Sequence, residues 1–158
     1  MIMKLIAGVD EVGRGSLIGP VYAAAVILNK SINKELIKDS KKLSKKRREI
    51  LAKYIMKNSI WAVAKSSVRE IEKINILNSS LLAMERAIKK LKKKPSIVLV
   101  DGNKTPEIKN FKFKSIIKGD QKIASISAAS IIAKVTRDKM IVKLGSKFKG
   151  YYWDQNYG

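Results

Sequence analysis

The chain carries few acidic residues, and four of them stand where short apolar segments end. There are 13 Asp and Glu residues against 34 Lys and Arg residues, so an acid that local structure does not explain needs another reason. Most of the acids fall in helical or loop-like stretches, where capping and solvent account for them. The four that stand out are Asp10, Glu11, Asp101 and Asp120. These four are the first candidates for chemistry.

Side chains at the carboxyl ends of strands in an open α/β sheet converge on one crevice, so acids far apart in sequence can form one cluster. Ionised carboxylates about 4 Å apart repel by several kcal/mol at an intermediate dielectric, which cations between them would offset. The chain has no Cys and no His, and oxygen ligands alone favour Mg²⁺ or Mn²⁺ over Zn²⁺. Two such ions about 3.5–4 Å apart can clamp a scissile phosphate. The pattern therefore predicts phosphodiester hydrolysis.

A simpler interpretation is that these acids begin turns. Asp10, Asp101 and Asp120 each lie beside or near a glycine, and Asp is a common turn residue because its side chain bonds to nearby backbone. The adjacent pair raises a further difficulty, because neighbouring strand residues face opposite ways. Asp10 and Glu11 can reach the same ions only if the strand ends or bends there, and the glycines that follow would permit a bend.

Five short apolar segments predict the strands that must position these acids. They cover residues 5–9, 21–28, 60–64, 97–100 and 113–117. Helices are predicted after the N-cap Ser44, after the capping-box pair Ser67 and Glu70, between Asn78 and Pro95, and over residues 123–144. Five strands with helices mainly in the second half predict an α/β or α+β layer with one main sheet.

Composition indicates one domain over residues 1–158. The chain is 46% apolar, which suffices for a single core, and it shows no linker and no internal repeat. The apolar opening is too short for a signal segment, and no apolar run approaches 18 residues. We therefore expect a soluble, cytoplasmic monomer without a membrane partner.

The net charge of +21 favours a partner rich in phosphates, because neutralising phosphates releases counterions. The alternative is a biased composition. Lysine supplies most of the positive charge, and Ile and Asn are also abundant, as AT-rich codon usage would produce in many proteins of one genome.

From residue 7 to residue 138 the chain resembles the bacterial ribonuclease HII family in four blocks that occur in the right order. The blocks cover residues 7–15 with 19–21, residues 39–44, residues 100–103, and residues 118–120 with 127–138. Their sequences are AGVDEVGRG with GPV, DSKKLS, VDGN, and KGD with SAASIIAKVTRD.

The resemblance implies an α/β, RNase H-like fold with a five-stranded mixed central sheet flanked by helices. It makes Asp10, Glu11, Asp101 and Asp120 the acidic active-site quartet, holding two Mn²⁺ or Mg²⁺ ions. The implied activity is hydrolysis of the RNA strand of RNA/DNA hybrids, and nicking of duplex DNA on the 5′ side of an embedded ribonucleotide. The products would carry 3′-hydroxyl and 5′-phosphate ends, as ribonucleotide excision repair and DNA replication require.

Residues that contact the substrate are also implied. In that family Gly13-Arg14-Gly15 holds the backbone at the ribonucleotide–deoxyribonucleotide junction and touches the 2′-hydroxyl, and glycines permit so close an approach. Candidates for phosphate contact are Lys41, Lys42, Ser127, Ser130 and Lys134. Each lysine is alternatively a solvated surface residue, and each serine a small residue that permits helix packing. Asp138 is a candidate outer metal ligand, although an ion pair with Arg137 would equally explain it.

The end of the chain departs from the family pattern. The family normally continues with an Asn-or-His-x-Gly-Tyr element, whose tyrosine stacks at the junction, and then a further helix. Asn156-Tyr157-Gly158 matches the start of that element, and Tyr157 stands one place too early to be the junction tyrosine. We therefore expect the chain to lack the C-terminal helical element. The alternative function is a basic nucleic-acid-binding protein, inactive because of C-terminal truncation, whose binding depends strongly on salt.

Overall fold

A computed structural model of the protein describes residues 4–15 and 19–147, except for the side chains of residues 39, 41, 146 and 147. The expectations for Asn156, Tyr157 and Gly158, and for the side chain of Lys41, lie outside the described residues.

The described ranges contain five strands and five α-helices. The strands are β1 Ile6–Val12, β2 Val21–Leu28, β3 Ser59–Ser66, β4 Ile97–Asp101 and β5 Phe113–Ile116. The helices are α1 Lys34–Lys38, α2 Lys45–Lys57, α3 Val68–Lys90, α4 Gly119–Lys122 and α5 Ala124–Lys147, with a 3₁₀ helix at Asp39–Lys42. None of these helices is long and apolar enough to cross a membrane.

The strands form one sheet in the order β3-β2-β1-β4-β5. The β1–β2 and β2–β3 pairs are antiparallel, whereas the β1–β4 and β4–β5 pairs are parallel. The predicted mixed five-stranded sheet flanked by helices is therefore confirmed. Because β1 and β4 run the same way at the centre, their carboxyl ends lie side by side.

Helices cover both faces of the sheet, since successive strand residues point to opposite sides. Ala7 and Val9 of β1 pack with α3 residues such as Met84 in one buried cluster. Ala24 and Val26 of β2 pack with α2 and α5 in a second cluster on the other face. At Gly8, on the α5 face, an added Cβ would lie 2.2 Å from the Ser125 carbonyl carbon. The missing side chain of Gly8 is therefore what allows α5 to rest on β1.

Helix α3 contains a kink at Asn75. The predicted Ser67–Glu70 capping box is confirmed, since each partner accepts the other's backbone N–H. The two helices predicted from this region are continuous except at Asn75, which has φ 71° and ψ 172°. The Asn75 side-chain oxygen accepts the Asn78 N–H at 2.9 Å, so Asn75 is the N-cap of the second helical segment.

Replacing Asn75 with Ala is expected to lower the free energy of unfolding by about 1–2 kcal/mol, because the cap is lost and Ala is strained at positive φ. Asn75→Gly should lower the free energy of unfolding by only about 0.5 kcal/mol or less, because glycine tolerates this φ. Urea unfolding of both variants tests this, with Lys73→Ala on the exposed helix surface as control. Equal losses for Ala and Gly would contradict the assignment.

Strand β3 lies at one edge of the sheet, and side chains of α3 reach its backbone. The carbonyl of Asn58, just before β3, accepts the Asn29 N–H at 3.1 Å and therefore points toward β2. Successive carbonyls of a strand point in opposite directions, so those of the even-numbered residues of β3 also point toward β2. The carbonyls of Val63 and Lys65 consequently point outward. Lys90 donates to the Val63 carbonyl at 3.2 Å and Arg86 to the Lys65 carbonyl at 3.0 Å.

Candidate active site

Asp10 and Glu11 lie inside β1, which continues to Val12. The expectation that the strand ends at residue 9 is therefore wrong, because β1 extends through the acidic pair. Asp10 is only 5% exposed, and its Oδ1 accepts the Glu11 N–H at 2.8 Å. The Glu11 side chain also acts on the Asp10 carboxyl and helps to raise its pKa. The adjacent acids thus come together within the strand.

Burial and mutual repulsion act on these carboxyls together. Burial is the main cause that raises the pKa of Asp10 to about 9, and the negative charges of Glu11 and Asp101 raise it further. Burial also raises the pKa of Glu11, while hydrogen bonding and the positive charge of Arg14 oppose the shift. Without a cation Asp10 therefore retains its proton at neutral pH.

Asp101 and Asp120 are brought to the same end of the sheet. Asp101 ends β4, and Val9 pairs with Val100 in the parallel β1–β4 ladder, so Asp101 is next to Asp10. Asp120 lies in α4 rather than directly at a strand end, because Lys118 turns the chain in a left-handed conformation of φ 56°. The Asp120 N–H donates to Asp101 Oδ1 at 3.1 Å. All four predicted acids therefore meet in one region.

The chemistry of these residues fits a divalent cation, although their side chains are not already arranged around one. Within residues 4–15 and 19–147, no three acidic side chains are gathered closely enough to hold a metal ion. The donors are nevertheless all carboxylate oxygens, which Mg²⁺ and Mn²⁺ prefer. In the metal-free protein, the proton on Asp10 reduces the repulsion among the carboxyls. A bound cation would reduce this repulsion in place of the proton, and the side chains would have to rotate to bind it.

The pKa shifts predict an unusual pH dependence of stability. The pKa of Asp10 is 3.8 without the fold and about 9 within it, so the folded chain holds a proton that the unfolded chain releases. The contribution of Asp10 to the free energy of unfolding is therefore most favourable below the unfolded-state pKa, and it decreases as pH rises toward the folded-state pKa. The chain has no His and no Cys, so few other side chains titrate between about pH 5.5 and about pH 8.5.

We expect the melting temperature of the metal-free protein to fall as pH rises through that window. The Asp10→Asn variant should show a flatter profile, because its amide does not titrate, and Mn²⁺ should raise the wild-type melting temperature most at high pH. Differential scanning calorimetry in EDTA measures both effects. A wild-type melting temperature that rises with pH would contradict the assignment.

The predicted Gly13-Arg14-Gly15 segment forms a turn directly after β1. Gly13 has φ 95°, a conformation that side chains other than glycine disfavour. Arg14 and Gly15 are exposed, and nothing lies within 4 Å of a Cβ built on Gly15. The turn thus presents open main chain beside the carboxyls, with the Arg14 charge acting on Glu11.

Three of the predicted phosphate contacts share one cavity with Asp120. Ser127, Ser130 and Lys134 lie on α5 and line a cavity of about 260 Å³. Ser40 and Arg48 line it as well, and the sequence interpretation did not include them. Ser40 stands inside the DSKKLS block, whereas no sequence signal distinguishes Arg48. The exposed Lys42 does not line this cavity.

Asp138 and Arg137 are both buried on α5, at 5% and 4% exposure. Burial lowers the pKa of Arg137, and the Asp138 charge opposes that shift. The electrostatic interaction of the two residues is compatible with the ion-pair interpretation of Asp138, and its role as an outer metal ligand stays a prediction.

Known proteins share this fold. The structure superposes on the crystal structure of ribonuclease H2 from Pyrococcus horikoshii OT3 with a TM-score of 0.78 and 31% identity, covering 96% of this chain and 82% of that one. Bst-RNase HIII, solved in complex with Mn²⁺, gives a TM-score of 0.71 at 19% identity over 91% of this chain and 55% of that one. At 19% identity, the likeness to Bst-RNase HIII shows the fold alone. The two comparisons place the chain in the class of ribonucleases with an RNase H-like fold.

Sequence comparison identifies the family within that class. The family model for ribonuclease HII matches residues 7–158. Ribonuclease HII of Pelagibacter ubique is 70% identical over 156 residues, covering 99% of this chain and 84% of the relative. The chain belongs to the ribonuclease HII family, and it is a ribonuclease H, a hydrolase that acts on nucleic acid.

Proposed function

We propose that the protein hydrolyses the RNA strand of RNA/DNA hybrids and nicks duplex DNA on the 5′ side of embedded ribonucleotides, leaving 3′-hydroxyl and 5′-phosphate ends. The observation that carries the proposal is the buried Asp10, which lies with Glu11 in β1 beside Asp101 at the end of β4. Such a site has a strong electrostatic need for cations. It lies next to an exposed glycine turn, which suits a backbone that must approach a sugar closely.

The proposed cofactors are two Mn²⁺ or Mg²⁺ ions, held by Asp10, Glu11, Asp101 and Asp120. When bound, two such ions supply an activated water and charge stabilisation at the leaving oxygen. The Asp120 N–H fixes one oxygen of Asp101, and the Glu11 N–H fixes one oxygen of Asp10. These two backbone contacts would orient one oxygen of each carboxylate while the other remains available to a cation. The Mn²⁺ in Bst-RNase HIII belongs to that protein and supports the choice of metal here.

Substrate recognition is assigned to two groups of residues. The Gly13-Arg14-Gly15 main chain would contact the 2′-hydroxyl, which distinguishes RNA from DNA. A phosphate would bind in the cavity next to Asp120, in contact with Ser127, Ser130 and Lys134. Lys41 and Lys42 would contact other phosphates of the nucleic acid. The net charge of +21 would supply sequence-independent attraction to the duplex. We further propose a monomer that acts in the cytoplasm.

The deciding experiment uses an end-labelled DNA duplex with one ribonucleotide, incubated with Mg²⁺, with Mn²⁺ or with EDTA. We expect one nick, immediately 5′ of the ribonucleotide, that requires metal. An all-DNA duplex is the control and should stay intact, while a long RNA/DNA hybrid should be cut at several positions. Salt-sensitive binding without any metal-dependent nick would instead favour the inactive binding protein.

A further inference from the structure

An arginine is buried directly beneath the glycine turn. Arg137 of α5 is 4% exposed, and a guanidinium is seldom so completely removed from water unless its position is needed. Neither the acidic quartet nor the phosphate cavity uses this side chain. Its contacts therefore call for a separate explanation.

The contacts lead to Gly13. A Cβ built on Gly13 would lie 2.6 Å from Arg137 Nε and 3.0 Å from Arg137 Cδ. The arginine side chain therefore occupies the space that a side chain at residue 13 would need, and glycine leaves that space open. On another side the same Cβ would lie 3.1 Å from the Pro20 carbonyl oxygen. The turn is thus enclosed between the arginine and the start of β2.

Charged and polar groups of two elements surround the arginine. The negative charge of Asp138, the next residue of α5, opposes the lowering of the Arg137 pKa, and the Arg137 charge opposes the rise of the pKa of Tyr22 in β2. Tyr22 pairs with Val12 at the end of β1, so it stands beside the first residue of the turn. The charges that act most on Asp10 come instead from Glu11 and Asp101. Arg137 is therefore placed to act on the position of the turn.

We propose that Arg137 is a positioning residue. Its contact with Gly13 sets the position of the Gly13-Arg14-Gly15 main chain relative to the carboxyls. This inference rests on the proposed function of that turn in contacting the 2′-hydroxyl. If the support is lost, the main chain settles toward α5, and its contact with the ribose lengthens. An error of about 1 Å in such a contact costs about 10²-fold in rate.

Kinetics of Arg137→Met and Arg137→Lys test the proposal on two substrates, the single-ribonucleotide duplex and the long RNA/DNA hybrid. We expect Arg137→Met to lose about 10-fold to about 100-fold in kcat/KM on the single-ribonucleotide duplex, with a smaller loss on the hybrid and a less precise cutting position. Arg137→Lys should recover part of the loss, because it keeps the stem and the charge. Mn²⁺ affinity, followed by thermal shift, should stay at the wild-type value.

Arg86→Met is the matched control, since Arg86 pairs with Glu70 on α3 and a loss there affects stability alone. If Arg137→Met lowers the melting temperature but leaves the ratio of the two substrates unchanged, the residue is merely structural and the proposal is wrong. If the wild type does not cut the single-ribonucleotide duplex, the proposed function itself fails, which is a different result.

A double-mutant cycle covers the case in which Arg137→Met does not fold. The unfolding cost of Gly13→Ala is compared in the wild type and in the Arg137→Lys background. Lysine keeps carbons at the Cδ and Nε positions, but without the planar guanidinium its flexible stem moves aside more easily for the added methyl group. We expect a smaller cost in the second background. Strictly additive costs would show that the two residues do not act on each other and would overturn the proposal.

Discussion

Replacing Asp10 with Asn is expected to reduce metal-dependent cleavage by about 10³-fold or more, since several kcal/mol of charge stabilisation depend on the metal and each 1.36 kcal/mol is a factor of ten. The amide has nearly the same shape as the carboxyl, so the fold remains. The Asn side chain does not titrate, so the variant avoids the proton uptake that folding imposes on Asp10 at neutral pH, and the metal-free variant should melt at a higher temperature than the wild type.

Cleavage rates and fluorescence anisotropy with a labelled duplex separate chemistry from binding. Binding of Asp10→Asn should stay within a few-fold of the wild type, because the many lysines dominate the attraction to phosphates. Glu107→Gln is the matched control, since Glu107 is an exposed acid in the loop after β4 and should change neither quantity. Cleavage by Asp10→Asn at the wild-type rate would refute the assignment of Asp10 to the metal site.

The second large effect is expected at Gly8, where Ala should destabilise the protein by about 3 kcal/mol or more. The added methyl group would lie 2.2 Å from the Ser125 carbonyl carbon and 2.3 Å from the Ile126 nitrogen. Both are backbone atoms, which cannot move aside as a flexible side chain does. The first turn of α5 must therefore separate from β1, which would also shift Ser127 and the Asp120 region away from Asp10.

Denaturant unfolding compares Gly8→Ala with Gly15→Ala, whose Cβ would meet nothing within 4 Å. Gly15→Ala should change stability by less than about 0.5 kcal/mol. A similar small change for Gly8→Ala would mean that α5 does not rest on β1 as described. The comparison also separates a glycine needed for packing from one proposed to contact substrate.

Local patterns predicted the features that depend on neighbouring residues. The apolar run of β2 matches Val21–Leu28, and Ser44 caps α2 by accepting the Arg47 N–H. The place of Asp101 at the end of β4 was also predicted, because the apolar segment before it is visible in sequence. Each of these depends on a few adjacent side chains.

Features that depend on contacts between distant segments were not predictable in this way. Gly13 and Arg137 meet only because α5 crosses beneath the end of β1, and nothing in either segment indicates the other. The left-handed Lys118, which introduces α4 ahead of α5, is similarly imposed by tertiary structure, since Lys has no intrinsic preference for that conformation. Arg48 likewise reaches the cavity of Asp120 from a separate helix.

The side chains of Arg86 and Lys90 bear on how the protein behaves at high concentration. A strand at the edge of a sheet offers unpaired backbone groups that can recruit a strand from another molecule. Here two outward carbonyls of β3 already accept hydrogen bonds from these side chains, and an incoming strand would have to displace both. We therefore expect the two residues that connect α3 to the sheet to disfavour strand addition along this edge as well.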